Sequence, residues 1–245
     1  DSGAGTLDGL TRSTGRRDFL RMAALGGAGL ALPALLAACS DQYSTGVPIG
    51  GGANAGVTLD FKDDFGVLNY AYALEQLEAA FYTQVIATPY TGMPSGETTL
   101  LTAIRDHEVI HRDFLAAALG AKKIANLSVN FTAINFTSRD SVLGAAKTFE
   151  DLGVAAYNGA GQIISSPLYL GLAGKIVSVE GRHAAAIRDV IAGSTGIAFA
   201  DNTVVDDTTG LDRAFSPTTV LSMAGVYITT KISTSNLPTL VGLSS

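Results

Sequence analysis

Two of the three histidines in this 245-residue chain follow a glutamate by three places, as Glu108-Val109-Ile110-His111 and Glu180-Gly181-Arg182-His183. Three residues apart on a helix is one face, so carboxylate and imidazole can reach the same cation. Two other glutamates, Glu75 and Glu150, are each followed seven residues later by a tyrosine, Tyr82 and Tyr157. The chain therefore reads as a repeated half: a Glu…Tyr helix, then a Glu-x-x-His helix. One Glu from each of two helices plus Glu-x-x-His from two others is a ligand set for a pair of carboxylate-bridged metal ions. Its mixed oxygen and nitrogen donors suit two iron ions, or manganese. With only six glutamates and three histidines in the chain, chance is a poor explanation for this placement.

Four helices must carry these groups, and the apolar periodicity supplies them. The first is expected from about residue 63 to 87, stopped before Pro89, with the seam Leu68, Tyr72, Glu75, Ala79, Tyr82, Ile86. The second is expected over 95–120, with the seam Leu101, Ile104, Glu108, His111, Leu115, Ala118. The third spans about 138–165, ending before Pro167, and the fourth about 168–192, with Gly193 as its stop. Each seam steps by three and four residues, as bundle packing requires. Each also has charge at its centre, where a buried unpaired carboxylate costs several kcal/mol. Four such intrusions at similar depth call for a shared cationic partner. Glu78 lies on a neighbouring apolar seam and could replace Glu75 as ligand or support the ligands from outside; the matching tyrosine spacing favours Glu75. His107 falls on another face from Glu108, where a surface or structural role is expected. Arg105, Arg112 and Arg182 could neutralise carboxylates near the motif, although solvated arginines are the default expectation.

The fold class expected is all-α: an antiparallel four-helix bundle over 61–193, with a flexible tether at 40–60 and a C-terminal extension at 194–245. The link 121–137 is long enough to run the length of the bundle and join two antiparallel helix pairs. Ser216-Pro217 opens a short helix in the extension, from Pro217 to about residue 230, with Ser at the N-cap and Pro at the first helical position.

The first 39 residues read as an address. A basic stretch holding Arg16-Arg17-Asp18-Phe19-Leu20 precedes the apolar run Met22 to Ala38, which ends in Leu36-Ala37-Ala38-Cys39. This is the pattern of a twin-arginine export signal, or a retained membrane-anchor helix, with a lipobox-like end. Cys39, the lone cysteine, has no intrachain disulfide partner, so lipidation is its expected chemistry and a free thiol the alternative. An extracytoplasmic, periplasmic, membrane-anchored protein follows. The net charge of −6, with 47% hydrophobic and 16% charged residues, argues against nucleic acid as a partner. Gly50-Gly51-Gly52 lacks the lysine and hydroxyl ending of a phosphate loop.

From about Asp63 to Ala192 the sequence resembles the ferritin-like superfamily, and is most similar to exported bacterial ferritin-like domain proteins. The motif Leu74-Glu75-Gln76-Leu77-Glu78-Ala79-Ala80-Phe81-Tyr82 carries that resemblance. It implies that Glu75 and Glu150 each bind one iron, that Glu108 and Glu180 bridge the pair, and that His111 and His183 complete the two sets. Tyr82 and Tyr157 would hydrogen-bond ligand carboxylates, as in rubrerythrins. There are departures. No Cys-x-x-Cys pair provides a rubredoxin-type electron relay, and Gly153 stands where rubrerythrins carry a further carboxylate. A membrane tether and long C-terminal tail would also obstruct a storage cage. Two functions follow: a di-iron oxidase or peroxidase acting on oxygen, peroxide or ferrous iron, or a non-enzymatic accessory subunit that docks the bundle on a larger membrane protein complex.

Overall fold

The computed structural model describes residues 56–244. Arg16-Arg17, the Met22–Ala38 run, Cys39 and most of the expected tether lie outside the described residues. The elements, in chain order, are strand β1 (Val57–Asp60), helices α1 (Asp64–Ala87), α2 (Ser95–Leu119), α3 (Arg139–Ala160), α4 (Pro167–Ile191) and α5 (Pro217–Ala224), and strand β2 (Ile232–Ser235). Short 3-10 turns follow α2 and α5, at Gly120–Lys122 and Gly225–Tyr227.

The helix starts are set by local chemistry. The Asp63 carboxylate accepts from the Phe65 N–H, Ser138 from Ser141, Ser166 from Tyr169 and Ser216 from Thr219. Each satisfies an amide that the first turn leaves without a partner. Pro167 and Pro217 occupy first-turn positions, where a missing N–H is harmless. Gly193 takes up a positive φ of 74° just beyond α4, the left-handed geometry that ends a helix.

α1 packs on α2, and α3 on α4; α1 also meets α3, and α2 meets α4. α1 is the most enclosed helix, with 17 of its 24 residues buried. The cause is the link between α2 and α3, which lies along it from one end to the other. Asn69 donates to the Lys122 carbonyl (2.9 Å) and accepts from the Ile124 N–H (2.8 Å). Gln76 accepts from the Leu127 N–H (2.8 Å). Phe131 packs edge-on against Phe81, and the Thr91 N–H reaches the Thr137 carbonyl. Buried amide side chains on α1 thus meet backbone groups that a loop crossing apolar surface would otherwise leave unsatisfied.

Two expectations from the sequence need correction. Residues 57–60, read as the end of a tether, form a strand that pairs in parallel with β2, Val57 opposite Ile232 and Asp60 opposite Ser235. Val57 and Leu59 are buried, so the pairing is paid in apolar packing as well as hydrogen bonds. α3 ends at Ala160 rather than near residue 165: the Gly159-Ala160-Gly161 run unwinds it, and the Asp64 carboxylate then binds the Ser165 and Ser166 N–H groups, each at 2.8 Å.

The C-terminal extension packs on the bundle. Buried Arg188 of α4 forms a bidentate pair with Asp151 of α3 (2.8 and 2.7 Å) and reaches Asp201 (3.1 Å) and Thr203 (2.9 Å) of the extension. The Phe215 N–H bonds the Ala155 carbonyl, and Tyr227 packs edge-on against Phe149. Among the described residues no helix is long and apolar enough to cross a membrane.

Candidate metal centre

Midway along the bundle the four helices bring Glu75, Glu108, His111, Glu150, Glu180 and His183 together, all buried, the four carboxylates completely. Nδ1 of His111 lies 3.5 Å from Oε2 of Glu75, 3.6 Å from Oε2 of Glu108 and 3.0 Å from Oε1 of Glu180. Nδ1 of His183 lies 2.9 Å from Oε1 of Glu108, 3.3 Å from Oε2 of Glu150 and 3.9 Å from Oε2 of Glu180. Glu108 and Glu180 therefore each turn one oxygen to either histidine. The groups divide into two quartets, Glu75/Glu108/His111/Glu180 and Glu108/Glu150/Glu180/His183, each able to offer ligand atoms within 4.8 Å of one another.

The remaining carboxylate oxygens are engaged elsewhere. The Tyr82 hydroxyl donates to Oε1 of Glu150 and the Tyr157 hydroxyl to Oε1 of Glu75, both at 2.5 Å. What is left without a directed hydrogen bond is one oxygen each of Glu75 and Glu150, both oxygens of Glu108 and Glu180, and Nδ1 of each histidine. Buried polar groups are normally satisfied. These eight atoms crowd together, with ion-pair contacts as short as 2.9 Å (His183 Nδ1 to Glu108 Oε1) and 3.0 Å (His111 Nδ1 to Glu180 Oε1) but no directed hydrogen bond. Two divalent cations would satisfy all eight, and the donor chemistry fits iron or manganese. Among the described residues no arginine substitutes for them: Arg105 and Arg112 pair with Asp106 and Asp113, and Arg182 bonds Ser178.

The buried charges also perturb one another's protonation. Burial, reinforced by the Glu108 charge, raises Glu75 to about 8. Burial and the neighbouring carboxylates push Glu180 well above the ordinary range, and burial raises Glu150. For Glu108, burial opposes ionisation, but His111 and His183 outweigh it and bring the group to about 2. Burial alone would depress the histidines; the surrounding carboxylates instead lift His111 to about 12 and His183 to about 10. Without a cation, protons must hold the cluster together. Burial, aided by the adjacent carboxylate charge, keeps the Tyr82 and Tyr157 phenols protonated, hence donors.

Glu78 is buried but belongs to neither quartet, and among the described residues it makes no hydrogen bond or ion pair. Burial and the charge of Glu180 raise it well above the ordinary carboxylate range. It lies over Gly153: a Cβ built there would stand 3.1 Å from Oε1 of Glu78 and 3.5 Å from Oε2 of Glu180. Of the two carboxylates that the first-helix motif offers, Glu75 supplies the quartet oxygen.

His107 makes a contact that its spacing conceals. Its Nδ1 is 2.9 Å from Nε2 of His183. The position one residue before Glu108 gives no such signal, because the partner comes from another helix.

Fold and site together define a four-helix bundle whose buried carboxylate and histidine groups could hold metal ions. Residues 63–193 match the model of the ferritin-like domain family, and the chain belongs to that family. No curated protein matches the chain.

Proposed function

We propose that the bundle binds two iron or manganese ions and uses them for redox chemistry with oxygen, peroxide or ferrous iron, outside the cytoplasm and tethered to the membrane. The observation that carries the metal reading is the division of Glu108 and Glu180, one oxygen of each toward His111 and the other toward His183. Glu75 and His111 would complete one position, Glu150 and His183 the other. When bound, such a pair supplies two one-electron changes at one place, which suits a two-electron oxidant. The chain's own part is to hold the donors. Tyr157 and Tyr82 tie down one oxygen of Glu75 and Glu150, so that each presents the other inward. Burial keeps water from competing for the carboxylates. Export and tethering rest on Arg16-Arg17, the Met22–Ala38 run and Cys39.

Metal analysis of the purified chain tests the reading: about two ions per chain are expected, with loss in Glu108→Ala and His183→Ala. Wild-type protein that takes up neither iron nor manganese would refute it. For the address, replacement of Arg16-Arg17 by Lys-Lys should abolish export; unchanged export would remove the twin-arginine assignment.

A further inference from the structure

The two halves of the site repeat, yet the repeat breaks at His107. Matching Glu108 to Glu180 places His107 opposite Val179, which has no polar side-chain atom. His107 is exposed, while His183 is buried. The two imidazole rings are within 8° of parallel, with centroids 5.1 Å apart. That separation is what a 2.9 Å nitrogen–nitrogen contact plus the two ring radii requires, so the rings lie edge to edge in nearly one plane. This is good geometry for an N–H···N hydrogen bond. The opposite edge of His183, at Nδ1, faces Glu108 and Glu150. No described residue hydrogen-bonds Nε2 of His111.

We propose that His107 is a positioning residue for His183: it accepts a hydrogen bond from the Nε2–H, leaves Nδ1 to face the carboxylates, and makes the Glu150–His183 half the tighter of two unequal metal positions. An imidazole ligand binds through one nitrogen, and the partner of the other nitrogen sets tautomer and ring angle. His183 has such a partner and His111 does not, so His183 gives up less rotational freedom on ligation. His107 Nδ1 acts as acceptor, which puts its own proton on Nε2, toward the surface. The inference rests on the two-metal reading above.

Titration of the full chain with cobalt(II), followed by its visible absorption and by calorimetry, tests it. Wild type should bind two ions in two resolved steps, and His183→Ala should remove the tighter one. His107→Ala should weaken the tighter step about 10- to 100-fold and leave the weaker step in place. His107→Asn, whose side-chain oxygen can stand where Nδ1 does, should restore most of the loss. Nitrogen-detected NMR of the metal-loaded chain should show His183 protonated at Nε2. Equal steps in wild type, or a His107→Ala titration identical to wild type, would overturn the inference while leaving the two-metal site intact. So would equal weakening of both steps without rescue by His107→Asn. A wild-type chain that binds no cobalt would overturn the metal reading as well.

Discussion

At the scale of single residues, the site is a balance between burial and charge, and its tyrosines and protons make that balance measurable. Tyr82→Phe removes the hydroxyl from Glu150 and leaves a buried oxygen without its donor, a loss of about 1–3 kcal/mol. The melting temperature should fall and metal affinity should weaken; a variant that melts and binds like wild type would show the hydroxyl to be dispensable. The pH response of the metal-free chain follows from the shifted groups. His183 and Glu75 are raised in the folded state, to about 10 and about 8, so their contribution is complete below their unfolded values and is lost as pH rises through the folded ones. Glu108 is depressed to about 2, so its contribution is present above its unfolded value and lost as pH falls through that point. The metal-free protein should therefore be more stable near pH 6 than near pH 10, as read from denaturant midpoints. Because ligands must shed these protons, metal binding should release protons at neutral pH and tighten as pH rises. Buffer-dependent calorimetry showing no proton release would contradict the assignment of these groups as ligands.

At the scale of elements, close contacts at two glycines fasten the additions to the bundle. A Cβ on Gly159 would stand 1.9 Å from the Phe215 carbonyl oxygen, and one on Gly66 1.8 Å from the Asp60 carbonyl oxygen. Backbone cannot swing aside as a flexible side chain can. Gly159→Ala should destabilise the fold by about 1–3 kcal/mol and free the segment after Arg213 for proteolysis. Wild-type melting and wild-type cleavage would show that the segment does not need this contact. The contrast between bundle and additions also marks what the sequence makes legible. The four helices are readable because their apolar spacing, caps and prolines are local signals; the observed starts at Asp64, Ser95, Arg139 and Pro167 are within a residue or so of those expected. β1 is not readable, because four residues acquire their strand character from a partner 175 positions away, as Val57 does from Ile232. The six candidate ligands are legible through their i, i+3 and i, i+7 spacings. The contact of His107 with His183 depends on how α2 and α4 are rotated against each other, and no spacing within one helix encodes that.

At the scale of the molecule, an ion-pair network centred on buried Arg188 joins the extension to the bundle. Arg188, almost wholly buried, is held by Asp151 on one side and Asp201 on the other. Removing the guanidinium in Arg188→Ala leaves Asp151 without its partner and unties the extension, at an expected loss of about 3 kcal/mol. The change should appear as a lower melting temperature with two ions still bound, since Arg188 touches none of the quartet atoms; loss of metal would mean that the extension shapes the site itself. Metal binding should in turn stabilise the whole fold, because four helices contribute donors and the unfolded chain does not assemble them. The proposed bridging of two ions by Glu108 and Glu180 is addressed most directly by magnetic resonance of the manganese(II)-loaded chain. Two bridged ions must show the spectrum of an exchange-coupled pair, which Glu108→Ala should convert to that of isolated ions or abolish. A wild-type spectrum of uncoupled manganese, at any loading, would contradict the account.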